Sequence, residues 1–512
     1  MNGAESLVRT LVGCGVDTCF ANPGTSEMHF VAALDRVPGI RCVLGLFEGV
    51  VTGAADGYAR MADKPAATLL HCGPGLANGL ANLHNGRRAR TMVVNCVGDQ
   101  ATYHRPLDAP LTADTEGWAR PVSGWVRTTG GVEALGRDAV AAVQAARTSP
   151  GQIATLILPS DACWSEGGIV GEPELPPRAP LSDPAVIEGA ARLLRSGKKV
   201  AVILGDRVVR EHGLRLGYRI AAATGADLLA HQSNARLARG QGRFPIERVP
   251  YAIAEAVERL SAFEHIILVG ATEPIAFFAH PGKPNRLAPP DAQFLVLAHP
   301  EQDQIDALER LVDVLGAPEA APRPVARNDA AMAGTPNFDK LGASLSRLLP
   351  EAAIVIDESV TASRATFHAT HGAAPHDWLQ IMGGAIGAGL PLATGAAIGA
   401  PGRRVVALEA DGSAMYTLQA LWTQARERLD VTTVILSNRK YAILLNELRN
   451  VGANPGPTAL GMMDLGDPDL DWVRMAQGMG VDASRAETME QFEDLFRVAN
   501  SRPGPFVIEF VC

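Results

Sequence analysis

Short apolar runs recur along the chain, separated by longer stretches in which Ala and Gly mix with charged residues at helical spacing. An unbroken aliphatic run bounded by turn formers reads as a strand buried on both faces, which is the signature of a parallel sheet. Such runs predict strands at residues 43–47, 68–70, 92–97, 153–158, 200–204, 265–269, 294–297, 405–408 and 431–436. Small-residue helices between them complete strand, helix, strand units, so the expected fold class is α/β with parallel sheets.

Two proline-rich stretches interrupt this pattern: GEPELPPRAPLSDP at 171–184 and APEAAPRPVARNDAAMAGTP at 317–336. Both read as linkers. They divide the chain into three α/β blocks, 1–165, 184–317 and 337–512, alike in pattern but without a repeat at fixed period. A chain of 512 residues is too long for one core, which agrees with three domains.

Charge narrows the partners. A net charge of −9 and a pI near 5.8, with no basic block, argue against nucleic acid. No apolar run approaches the ~20 residues that cross a bilayer, so no membrane span is expected. The opening MNGAESLVRTLVGCGVDTCF carries Glu5 and Asp17 and reads as a first helix rather than a secretory signal, so the expected location is cytoplasmic. Seven cysteines without paired metal spacing read as reduced core residues.

The most chemical stretch is VVALEADGSAMYTLQALWTQARERLDVTTVILSNRKY. One predicted strand runs into Asp411-Gly412-Ser413, a helix is expected from about Ala414, and the next strand delivers Asn438. Parallel strands bring both polar residues to one edge of the sheet, past the carboxyl ends, where open α/β sheets bind ligands. A carboxylate, an amide oxygen and a nearby carbonyl form an oxygen set for Mg²⁺ or Ca²⁺, and the helix start offers N–H groups to a phosphate. Either residue alone would be an N-capping Asp or a turn Asn.

This stretch resembles the diphosphate-binding motif of thiamin-diphosphate (ThDP) enzymes, Gly-Asp-Gly followed by Asn-Asn. Ala410 replaces the first Gly and Ser437 the first Asn. The resemblance implies ThDP as cofactor and Mg²⁺ bound by Asp411, Asn438 and the carbonyl of Lys440, with Gly412 and Ser413 at the diphosphate. It further implies that Glu48, in GLFEGVVTGAADGYAR, is the glutamate that bonds the cofactor's pyrimidine ring and drives its tautomerisation. Without the resemblance, Glu48 is a helix-start Glu favoured by the dipole. In MGGAIGAGLP (382–391), the Gly384 carbonyl would accept from the aminopyrimidine and Ile386 would support the bent cofactor. The three blocks become pyrimidine-binding, central and diphosphate-binding domains. The family shares each cofactor between subunits, so a homodimer at minimum and a homotetramer usually are implied.

Other stretches point within the family. FANPGTSE (20–27) resembles a turn of benzoylformate decarboxylase, with Thr25 at its substrate-contacting serine and His71 at its active-site histidine, able to carry a proton. CGPGLANGLAN resembles acetolactate synthases instead. Ile443 and Leu444 would wall the substrate, Glu447 replaces a pocket phenylalanine, and His280 lies near but offset from that enzyme's second histidine. The implied reaction is decarboxylation of a 2-oxo acid to a cofactor-bound enamine, ending in aldehyde release or in ligation to a second carbonyl. FAD, common in the central domain of acetolactate synthases, has no clear signal here. Two rivals stand beside this reading. A dehydrogenase built on GGAIGAG lacks the acidic residue expected about 20 residues on. A non-catalytic ThDP-binding partner subunit is the other.

Overall fold

The computed structural model describes every residue except Asn328, so that point of the second proline-rich linker lies outside the described residues. Three sheets organise the chain. The first has six parallel strands in the order Arg41–Leu44, Thr18–Asn22, Ala66–Leu70, Val93–Asp99, Ile153–Pro159, Trp125–Thr128. The second has five: Glu247–Arg248, Asp227–Ala230, Val200–Leu204, His265–Val269, Gln293–Ala298. The third has seven: Asp482–Ala486, Phe506–Val511, Val431–Ser437, Val405–Ala410, Ile354–Glu358, His376–Gln380, Leu237–Arg239. Every residue of Ala66–Leu70, Val93–Asp99, Val200–Leu204 and Val431–Ser437 is buried, as strands covered on both faces by helices must be.

Two local readings are corrected, and one unforeseen strand crosses between the blocks. The strand expected at 43–47 is Arg41–Leu44, and the chain leaves the sheet at Gly45 so that extended Phe47 can cap the helix Glu48–Ala62. The helix expected from Ala414 begins at Asp411 as a single turn to Ala414, and a second helix runs Ala420–Glu427. Leu237–Arg239, between strands of the second sheet in the sequence, leaves that sheet and pairs antiparallel with His376–Gln380 at the edge of the third.

The first and third sheets are joined through helices of small residues. Glu48–Ala62 crosses Gly389–Gly399 so closely that a Cβ at Gly57 would overlap the Leu392 carbonyl, and one at Gly395 the Ala54 carbonyl. Backbone contact of this kind is open only to glycine. One apolar cluster accordingly holds Val51, Ala54, Ala55 and Tyr58 together with Leu392, Ala393 and Ala396. The seven cysteines are free; Cys42 and Cys512 are exposed and the other five buried. Among the described residues no helix is long and apolar enough to cross a membrane.

Candidate active site

Strands Val405–Ala410 and Val431–Ser437 run parallel with Ala410 opposite Leu436, so Asp411 and Asn438 emerge at the same sheet edge. Asp411 is only 2 % exposed. Its Oδ1 accepts from the Gly412 N–H (2.8 Å) and its Oδ2 from the Arg439 N–H (2.7 Å). Burial raises the Asp411 carboxyl, and these backbone donors pull the other way. Asn438 Oδ1 accepts from the Lys440 N–H at 3.0 Å. Arg439 has φ +59°, a left-handed turn that brings its own N–H back onto Asp411. Ser413 is buried within the single turn Asp411–Ala414, and a Cβ at Gly412 would overlap the Tyr441 ring. Asn438, Arg439 and Lys440 border a cavity of about 360 Å³ that Leu445, Asp464 and Asp469 also line. The Asn438 amide oxygen at this cavity and the Asp411 carboxylate, bonded to the lining residue Arg439 through its N–H, are hard ligands that fit Mg²⁺ or Ca²⁺, and the cavity gives a bound diphosphate room.

The glycine-rich segment precedes the helix Gly389–Gly399 and is held from several sides. Asn85 donates to the Ala385 carbonyl (2.8 Å) and accepts from its N–H, and Asn82 donates to the carbonyls of Gly387 (3.1 Å) and Gly49 (2.8 Å). Thr417 also donates to Gly387 O. Gly384 is exposed with φ +78°, and Ile386 is half-buried. Beneath the loop lie two acids that the sequence reading passed over. Glu358 accepts from the N–H groups of Gly387 and Gly389; Glu409, opposite it in the neighbouring strand, is fully buried. Burial pushes both carboxyls up, Glu358 to about 7. Their signal is faint, since Glu358 closes the strand IVIDE and Glu409 sits one residue before the end of VVALEA, where an acid after an apolar run reads as the strand's edge.

In the first domain Glu48 opens its helix, 8 % exposed, and accepts from Asn78 Nδ2 at 3.0 Å. Gly75 faces it: a Cβ there would stand 3.0 Å from Glu48 Oε1. His71 caps the helix Cys72–Ala89, and its Nδ1 lies 2.8 Å from Oε2 of the buried Glu27. Glu27 also accepts from the Gly24 N–H (2.8 Å) and the Ser26 hydroxyl (2.7 Å), and Ser26 Oγ lies 3.3 Å from the same imidazole nitrogen. Thr25 is exposed and stands apart from this network; the hydroxyl beside His71 is that of Ser26. The cause is the tight turn Thr25–Glu27, in which successive side chains rotate by about a third of a circle. Glu27 was missed as a functional group although it ends the quoted turn. The Gly-x-x-Glu spacing, in which the glutamate reaches back to the cap N–H, was its available signal. Cys72 touches Ser26 (Sγ to Oγ 3.0 Å) in a left-handed conformation, φ +54°, and burial pushes its thiol up to about 11.

The helix Ala442–Asn450 carries Ile443, half-buried, and Leu444, 43 % exposed. Glu447 on this helix meets His280 Nε2 at 2.9 Å, which ties the central domain's loop to the third domain. Phe277 of that loop lies against Gly384.

Comparison with known proteins identifies the family. "Thiamine pyrophosphate enzyme, N-terminal TPP binding domain" matches residues 1–118, and "Thiamine pyrophosphate enzyme, C-terminal TPP binding domain" matches residues 360–510. The chain is 50% identical, over 100% of its length and 99% of the relative's, to a Mycobacterium tuberculosis protein named "Putative acetolactate synthase large subunit IlvX". It is 29% identical to benzoylformate decarboxylase of Pseudomonas aeruginosa, over 97% of this chain and 96% of the relative. The solved structure of a Rhodococcus jostii thiamine diphosphate-dependent 4-hydroxybenzoylformate decarboxylase superposes with a TM-score of 0.86 at 24% identity, covering 99% of this chain and 98% of that one, a likeness of fold. The chain therefore belongs to the thiamine pyrophosphate enzymes and is a ThDP-dependent enzyme of the acetolactate synthase and benzoylformate decarboxylase type.

Proposed function

We propose that the chain decarboxylates a 2-oxo acid and releases an aldehyde, with ThDP anchored through Mg²⁺ on Asp411, Asn438 and the Lys440 carbonyl. Bound ThDP supplies a nucleophilic carbon and an electron sink for the bond to carboxylate. Glu48 holds the proton at the pyrimidine end; its single amide partner, Asn78, leaves the carboxyl capacity for a second bond. Gly384 and Ile386 position the cofactor, and Gly412 and Ser413 face the diphosphate. Lacking Glu48, Asp411 or Asn438 would have favoured the non-catalytic partner reading; all are present.

The observation that carries the reading is the pair Glu27–His71. A buried carboxylate on Nδ1 fixes the ring and its tautomer, so Nε2 is left to move a proton to or from substrate. A proton delivered to the carbon that has lost CO₂ would replace the carboxylate, and the aldehyde would leave as that carbon's bond to the cofactor breaks and its hydroxyl gives up a proton. Ligation to a second carbonyl is the other reading, favoured by the acetolactate synthase name of the 50% identical relative. The polar pair His280–Glu447, whose Glu447 stands on the helix that carries Leu444, suits a 2-oxo acid with an aliphatic or polar chain better than an aromatic one. The assembly we propose is a homodimer at minimum, with a homotetramer built from it, in the cytoplasm; FAD has no assigned role.

Incubation with ThDP, Mg²⁺ and a panel of 2-oxo acids, read by mass spectrometry, tests this. Aldehyde from one member supports it; acetohydroxy acid alone selects the second reading; no turnover of any member sinks both.

A further inference from the structure

A second cluster of ligating side chains lies outside this site, at the seam between the second and third sheets. Helix Ser363–Ala369 carries His368, and the tight turn that follows, Thr370–Gly372, carries His371. The spacing of three places both imidazoles on one side of the chain. Edge strand Glu247–Arg248 brings the Glu247 carboxylate between them: Oε2 is 3.4 Å from His368 Nδ1, and Oε1 is 3.2 Å from His371 Nε2. One ligand atom from each residue lies within 4.8 Å of the others.

We infer that Glu247, His368 and His371 form a binding site for one transition-metal cation of the zinc class. Two ligands each about 2.1 Å from a tetrahedral ion stand about 3.4 Å apart, close to the 3.4 and 3.2 Å found from the two carboxylate oxygens, one to each imidazole. Two nitrogens and one oxygen suit Zn²⁺, Co²⁺ or Ni²⁺ rather than Mg²⁺. His371 is 9 % exposed, and its Nε2 is buried without a well-aligned hydrogen bond. Arg239 and Arg248, both over the Phe367 ring, oppose a cation nearby, and the acidic side chains of Glu247 and Asp357 lie close enough to offset them. A bound ion would pin the second sheet's edge strand to the third domain. This site is independent of the decarboxylase reading.

Tag-free holoenzyme, loaded with Mg²⁺ and ThDP, is titrated with Co²⁺ and followed by visible absorption. One equivalent should raise the intense bands of four- or five-coordinate Co²⁺, and Zn²⁺ should bleach them; Co²⁺ exchanging into an octahedral oxygen site absorbs weakly. His368→Ala, at an exposed position that should not disturb folding, and Glu247→Gln should each weaken binding at least about tenfold, the loss that even outer-shell partners cause. Absence of the bands, or equal bands and affinity in both variants, overturns the assignment.

Discussion

At the scale of single residues, the proposed roles separate by what each variant retains. Asp411→Ala removes the buried carboxylate held against the Arg439 N–H beside the cavity and leaves the diphosphate charge poorly compensated, so bound ThDP should be lost on gel filtration in chelator. Stoichiometric ThDP in that variant would disprove the anchor. Glu48→Gln keeps shape but not the proton. ThDP should still bind, while exchange of the thiazolium C2 proton, read by NMR after acid quench, slows by orders of magnitude. Glu27→Gln and His71→Ala should act on one step together. Either should slow aldehyde release more than CO₂ loss in a single turnover, by ~10² to 10⁴ for His71→Ala, because only the later step needs a proton donor. If both steps slow equally with an unaltered product ratio, His71 is a helix-capping residue and no more.

Among elements, the glycine crossing of Glu48–Ala62 with Gly389–Gly399 makes the sharpest demand. Ala is favoured over Gly inside a helix by about 1 kcal/mol. At Gly395, where a new Cβ would overlap the Ala54 carbonyl, that gain should be overturned by about 1–3 kcal/mol of overpacking, whereas Gly478→Ala, with open space around it, should be neutral or stabilising. Denaturant midpoints of the two variants check this; a stabilised Gly395→Ala would mean the helices part freely. The same contrast explains what could be read beforehand. Strands such as His265–Val269 and Val200–Leu204 stood out as continuous aliphatic runs, and the edge shared by Asp411 and Asn438 followed from two of them. Leu237–Arg239 could not stand out: three residues have no periodicity, and its pairing partner lies far along the chain. Glu27 escaped because its meaning is its contact with His71, 44 positions away, and Thr25 drew attention because a motif fixes position but not the rotation of a tight turn.

For the whole molecule, buried histidines set the acid limit. Burial pushes His376 down to about 3, with buried Arg239 adding to the effect, while in the unfolded chain it titrates near 6.5. Below that pH the unfolded chain takes up a proton that the fold refuses. Stability is therefore complete above about 6.5 and falls as pH drops toward 3, by up to about 1.4 kcal/mol per unit from this residue. His376→Phe should flatten the decline of the urea midpoint between pH 7 and 5; an unchanged slope would show that the ring is solvated. Assembly is the larger question. Asn82 bonds both Gly49 O and Gly387 O, so the first and third domains are packed within one chain, yet the proposed enzyme shares each cofactor between two chains. Coexpression of Glu48→Gln with Asp411→Ala decides between these arrangements. In a shared-site dimer, the mixed pair has one site with an intact Glu48 from one chain and an intact Asp411 from the other. Random pairing makes half the dimers mixed, each with one good site in two, so roughly a quarter of wild-type activity should return although each variant alone is inactive. Native mass spectrometry confirms that mixed dimers form; if they form and activity stays at the level of the separate variants, Glu48 serves the Asp411 of its own chain.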